Sequence, residues 1–115
     1  MSIQVIDLMM ANAITQNGTE YSIVVDLSIY DTNNWKFGLR ATHVGTSSTR
    51  TVTIQNANQN VDANFTNGAA LETTSAVGTA YTDISTNVKP SQFIRFSVLA
   101  SSGNITSIDL QLAIG

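Results

Sequence analysis

Residues Phe93–Ile114, FIRFSVLASSGNITSIDLQLAI, carry the clearest pattern in the chain. Ile94, Phe96, Val98 and Ala100 share one side of an extended segment, with Arg95 and Ser97 on the other. After Ser101-Ser102-Gly103-Asn104, the residues Ile108, Leu110, Leu112 and Ile114 again alternate with Ser107, Asp109 and Gln111. Successive side chains of a strand point to opposite faces, so a period of two marks a strand with one face buried. Two such runs about a short Ser/Gly/Asn turn predict a β-hairpin.

The same period recurs upstream. In Tyr21–Asp31 the apolar Ile23, Val25, Leu27 and Ile29 alternate with Ser22, Val24, Asp26, Ser28 and Tyr30. Beyond Asp31-Thr32-Asn33-Asn34, the residues Trp35, Phe37, Leu39 and Ala41 fall on one face and Lys36, Gly38, Arg40 and Thr42 on the other. This predicts a second hairpin, with Trp35 facing inward as a core anchor. Arg50–Gln55 reads as a strand with Val52 and Ile54 inward and Thr51, Thr53 and Gln55 outward. Asn56–Gly68, rich in Asn, reads as a long loop or irregular edge anchored by Val61 and Phe65. Ala70–Thr74 and Ala80–Ser85 are short-strand candidates, and Pro90 stands ahead of the Phe93 strand, where it removes no ladder hydrogen bond. No stretch has a helical period. The prediction is an all-β, antiparallel β-sandwich or jelly roll of about seven or eight strands. The 115 residues suit one domain.

The first segment breaks the alternation. Ile3, Val5 and Met9 lie on one face of Ile3–Ile14, and Ile6, Leu8, Met10 and Ile14 on the other. Two readings stay open: a strand buried on both faces, or an arm over residues 1–14 that packs on a neighbouring subunit. With the face that bears Val24 and Tyr30, this segment supplies the candidate interaction residues Ile6, Leu8, Met10, Val24 and Tyr30. Asn33 and Asn34 join them, because Tyr30 stands beside their turn.

Composition narrows the functions. Charged residues make up 11% of the chain and apolar ones 43%, with a net charge of -3. Disorder combines low hydrophobicity with high net charge, and neither holds here. Five Lys and Arg residues cannot supply the phosphate contacts of a nucleic-acid binder or the attraction to an anionic membrane, so neither partner is expected. Without cysteine there are no disulfides and no thiolate metal cluster. MSIQVIDLMM lacks a basic stretch and a small-residue cleavage site, so synthesis in the cytoplasm without a signal peptide is expected.

Catalytic and metal chemistry find little support. His43 is the one histidine and reads as a loop or strand-end residue beside Gly45 and Ser47. A zinc site would need several N or S ligands, and a serine nucleophile needs a base and an orienting acid. No Gly-x-Ser-x-Gly elbow occurs, and Glu20, Asp31, Asp62 and Glu72 form no paired-carboxylate pattern. Asp31-Thr32-Asn33 has the alternating oxygens of a calcium loop without its later Gly and Glu, and reads as an Asx-turn. Asn17-Gly18-Thr19, Asn64-Phe65-Thr66 and Asn104-Ile105-Thr106 match the glycosylation triplet. Composition alone predicts about 2.6 such triplets, so they carry no signal. The expectation is a protein with no enzymatic activity, no metal and no cofactor.

The C-terminal part resembles β-sandwich structural proteins of tailed-phage virions, such as head decoration and tail-associated proteins. The resemblance rests on Gly78-Thr79-Ala80-Tyr81-Thr82-Asp83-Ile84-Ser85, on Phe93-Ile94-Arg95-Phe96-Ser97-Val98 and on the closing Ile108–Ile114 strand. It implies a virion structural protein that acts by self-association and contact with other virion proteins, a homo-oligomer with a trimer as the first arrangement to consider. The composition agrees, since many copies crowd together more easily when each carries few charges. A carbohydrate-binding module or small lectin is the alternative and would show an exposed aromatic platform for a glycan. A fibre subunit that exchanges its N-terminal strand is the second alternative.

Overall fold

In the computed structural model, residues 3–46, 49–74, 78–88 and 91–115 are described. They form nine strands: β1 (Gln4–Ile14), β2 (Thr19–Tyr21), β3 (Val25–Asp26), β4 (Phe37–Gly45), β5 (Thr49–Ala57), β6 (Thr66–Thr74), β7 (Gly78–Asp83), β8 (Phe93–Ser101) and β9 (Ile105–Ile114). Single 3-10 turns occupy Leu27–Ile29 and Asp62–Asn64. The first sheet has the order β1-β9-β4-β7 and the second β2-β8-β5-β6, with β3 also paired to β8. Every strand pair is antiparallel. The molecule measures 38 × 34 × 20 Å, and its thin dimension suits two sheets stacked about 10 Å apart with their outer side chains. The all-β sandwich expected from the alternation is therefore present.

The core lies between the sheets and uses the alternating residues of the central strands. Phe37, Leu39 and Ala41 of β4 and Ile108, Leu110, Leu112 and Ile114 of β9 meet Val52 and Ile54 of β5 and Ile94, Phe96, Val98 and Ala100 of β8. The strands read from Phe93–Ile114 are right, but the hairpin between them is not. β8 belongs to the second sheet and β9 to the first, so residues 102–104 carry the chain across the sandwich. Ser102 and Gly103 take positive φ there, 58° and 132°. Alternation reports which face of a strand is buried. It is the same whether the next strand lies beside it or across the core.

The upstream hairpin fails for the same reason, because β3 and β4 also lie in different sheets. Its first strand is broken as well. Between the pairs Tyr21↔Ser97 and Val25↔Ile94 the chain advances one residue further than β8 does. This bulge and the following 3-10 turn leave Val25 and Leu27 buried but turn Ile23 and Ile29 outward. Asp26 caps the turn by accepting from the Ser28 amide at 2.9 Å. Trp35 precedes β4 rather than opening it. It is half-buried at the core margin, with its ring centroid 6.1 Å from that of Tyr30. Val61 is exposed and anchors nothing, while Phe65 lies on the guanidinium of Arg95. Pro90 lies outside the described residues.

β1 resolves its two-sided apolar pattern by bulging. Register shifts between Asp7 and Met9 and between Met9 and Asn12 let Leu8 and Met9 both face the core. Ala11 takes a φ of 53° in that irregular stretch. The strand pairs with β9 from Gln4 to Ile14, so it is part of its own domain.

Among the described residues, His43, Arg50 and Glu72 are polar side chains buried at inward positions, which the alternation did not lead us to expect. His43 is fully buried, not a loop residue: it keeps the parity of Phe37, Leu39 and Ala41 on β4. Arg50 keeps the parity of Val52 and Ile54 on β5 and is 1% exposed. Glu72 of β6 meets it from the neighbouring strand as an ion pair. Gln55, expected outward, is buried beneath Arg95, whose Nε donates to Gln55 Oε1 at 2.6 Å.

Candidate interaction surface

The seven candidate residues do not form one patch. Leu8, 2% exposed, is in the core, and Ile6 packs partly against it; the β1 bulge takes both from the surface. Met10 is exposed at 66% on the open side of β1, facing Tyr21, Ser22 and Ile23 across a shallow groove. That side of the sandwich is stitched by the Ile23 amide donating to the Leu8 carbonyl at 3.1 Å. Val24 is half-buried in the β2–β3 bulge. Tyr30 is half-buried against Trp35. Asn33 and Asn34 are exposed in an Asx-turn, their amides donating to Asp31 Oδ1 at 3.1 Å each. Asn34 Nδ2 donates to Asp31 Oδ2 at 2.8 Å, so both carboxylate oxygens serve the turn. Among the described residues no group of three His, Cys, Asp or Glu side chains could hold a metal ion. Among the described residues no helix is long and apolar enough to cross a membrane.

A better-built surface lies on the outer face of the first sheet. Registered pairs place Val5, Ala113, Gly38 and Asp83 in one row across β1, β9, β4 and β7. The next row is Asp7, Gln111, Arg40 and Tyr81. The second row is joined side chain to side chain. Gln111 Nε2 donates to Asp7 Oδ1 at 3.0 Å, Arg40 Nη1 to Gln111 Oε1 at 3.5 Å, and Arg40 Nε to the Tyr81 hydroxyl at 3.2 Å. The first row is low, because Ala113 and Gly38 raise almost nothing above the backbone. The result is a trough floored by these two residues, with Val5 at one end, the polar row along one side, and Ile3 and Lys36 along the other. Val5 is 56% exposed, Ile3 70% and Tyr81 76%.

Gly38 is informative here. A Cβ built on it would meet nothing within 4 Å, and its φ is not in the left-handed region. Its own fold therefore gives no reason for glycine at the second residue of β4, which is paired with strands on both sides, where glycine weakens the strand. Glycine at such a place often marks close approach by another backbone or a ligand. The sequence offered this signal, since Gly38 falls in the outward set with Lys36, Arg40 and Thr42.

The charged groups of this face are organised. Asp83 at the trough's far end accepts from the Ser85 hydroxyl at 2.6 Å and the Ser85 amide at 2.9 Å. These bonds hold its carboxyl below the usual aspartate range, with Lys36 adding a smaller electrostatic contribution. Positive and negative groups thus stand around the same trough: Lys36 and Arg40 on β4 and its approach, Asp7 and Asp83 on the two edge strands.

No known protein family and no curated protein matches the sequence. Solved structures do match the fold. The PBSX exported protein XepA superposes with a TM-score of 0.69 at 17% identity, over 97% of this chain and 37% of that one. The SPBc2 prophage-derived protein YomS gives 0.52 at 12% identity, over 100% of this chain and 96% of that one. A chain of infectious bursal disease virus, Gt strain, gives 0.56 at 11% identity, over 97% of this chain and 31% of that one. The chain thus spans little more than a third of XepA but nearly the whole of YomS. At these identities the likeness is one of fold: a β-sandwich that also occurs in phage-derived and viral proteins.

Proposed function

We propose that this protein is a non-enzymatic structural component of a virus particle, a capsid-decoration or tail-associated protein that works by self-association and contact with other virion proteins. The strand orders β1-β9-β4-β7 and β2-β8-β5-β6 support a jelly-roll winding, in which the chain repeatedly crosses between two four-stranded sheets, β2 and β3 acting as one interrupted strand. The fold likeness to phage-derived and viral proteins supports the virion reading.

The observation that carries it is the trough at Gly38, a hollow in the sheet that the chain's own packing does not require. Its partner on this reading is a second copy of the chain. Both signs of charge lie around one apolar floor, so a single surface supplies what its counterpart needs. A face that pairs with itself closes a twofold pair, so the homotrimer would need a second, different contact and is to be tested beside the dimer.

The variant Gly38→Val separates fold from association. Its side chain enters open space, so the domain should fold with a Tm no lower than that of the parent chain. Filling the trough should shift sedimentation velocity toward the monomer. An unchanged oligomer distribution in the folded variant would remove this face from the contact.

A further inference from the structure

The arginines of this chain are not used alike. Arg50 and Arg95 form ion pairs inside the domain, with Glu72 and Asp62. Among the described residues Arg40 forms none. It is held in place all the same. Its Nε donates to the Tyr81 hydroxyl at 3.2 Å and its Nη1 to Gln111 Oε1 at 3.5 Å, and its guanidinium carbon lies 5.9 Å from the centroid of the Tyr81 ring. These partners are all neutral. Nη2 donates to nothing among the described residues. A planar fork suited to a carboxylate is therefore oriented at the trough without one.

The same trough carries a carboxylate with an oxygen to spare. Asp83 takes both Ser85 bonds on Oδ1, which leaves Oδ2 without a hydrogen bond among the described residues. Lys36 attracts this carboxylate, but the two form no ion pair. Asp7, the other acid of this face, is tied to Gln111 Nε2 and does not line the trough floored by Gly38. Arg40 and Asp83 do not pair with each other in one chain. The registered pairs Arg40↔Tyr81 and Gly38↔Asp83 mark out a rectangle on β4 and β7, with Arg40 and Asp83 at opposite corners. A twofold axis lying in the contact plane across that diagonal brings Arg40 of each copy over Asp83 of the other. Gly38 and Tyr81 then fall near the axis, and the open space above Gly38 lets the two backbones approach.

We propose that Arg40 of each copy pairs with Asp83 of the other, so that two reciprocal ion pairs fix the geometry of a twofold dimer at the trough. The inference rests on the self-association proposed above and makes its contact specific. An isologous contact repeats every pair, so one Arg40–Asp83 match is counted twice. Charge matching of this kind sets register and rejects wrong partners, since like charges brought together are costly.

Charge reversal tests it in the full chain by sedimentation equilibrium, with circular dichroism to confirm folding. Arg40→Glu sets a carboxylate opposite Asp83, and Asp83→Lys sets an ammonium opposite Arg40. Each variant alone should dimerise about tenfold or more weakly than the parent chain. An equimolar mixture of the two has opposite charges at both contacts and should recover a mass of twice 12.3 kDa. Arg40→Glu mixed with Asp7→Lys should stay monomeric. Single variants that dimerise like the parent, or a mixture of Arg40→Glu and Asp83→Lys that stays monomeric, overturn the pairing and leave association through the trough standing. A parent chain that is monomeric at every concentration overturns both. Should Asp83→Lys fail to fold, Arg40→Glu/Asp83→Asn takes its place: it removes the facing carboxylates and should associate more tightly than Arg40→Glu, and equal association overturns the pairing.

Discussion

Glycine plays opposite parts at positions 38 and 45. Gly38 has empty space where a side chain would go, whereas Gly45 has none: an added Cβ would lie 2.5 Å from the Asn104 carbonyl oxygen and 2.6 Å from the Thr106 amide nitrogen. Its φ of 143° is also one that L side chains rarely adopt. Gly45→Ala should therefore destabilise the protein by about 2 kcal/mol or more, measured by urea unfolding; an unchanged midpoint would contradict this packing. Asp83 carries a pH signature. Its folded carboxyl titrates below the unfolded value of about 3.9, so its contribution is present above that pH and is lost as pH falls through the folded value. Asp26 behaves alike through the Ser28 amide and hydroxyl. Asp83→Asn should remove part of the acid unfolding seen below about pH 4 by circular dichroism, and should leave the behaviour near neutrality unchanged. At this scale the sequence was legible by parity alone. His43 and Arg50 sit on inward positions of their strands, but a polar residue at a strand end also suits a loop, and only the partner Glu72, from a segment read as a short strand, explains their burial.

Elements were easier to recognise than their pairings. β4, β5, β8 and β9 coincide with alternating runs because each buries one face. The two expected hairpins were wrong because turn chemistry and alternation are local, while the choice between pairing beside a strand and facing it across the core depends on the rest of the chain. Tyr21–Asp31 misled for a different reason: a bulge reverses the facing of every later residue, and nothing in its alternation announces one. β1 shows how bulges also help. They bring Leu8 and Met9 inward together and interrupt an edge strand that would otherwise be long, flat and apolar. Because Leu8, Met9 and Ile14 belong to the core, deletion of residues 2–14 should abolish the cooperative thermal transition. A soluble, cooperatively folding product would instead restore the view of this segment as a separable arm.

For the whole molecule, the small charge complement suits the crowded, repeated contact that the proposed function requires. Of the candidate residues chosen from sequence, three lie on β1, and of these Met10 is exposed. Ile6 and Leu8 turn toward the core, and Ile3 and Val5 toward the trough. The outer face could not be read as one surface from sequence, since Val5, Gly38, Tyr81 and Ala113 become neighbours only through the strand order. Self-association is the central claim, and molar mass tests it most directly. Light scattering coupled to size exclusion, run over a dilution series of the full chain, should give a discrete multiple of 12.3 kDa that falls toward the monomer on dilution. A constant 12.3 kDa at every concentration, the highest included, would contradict it.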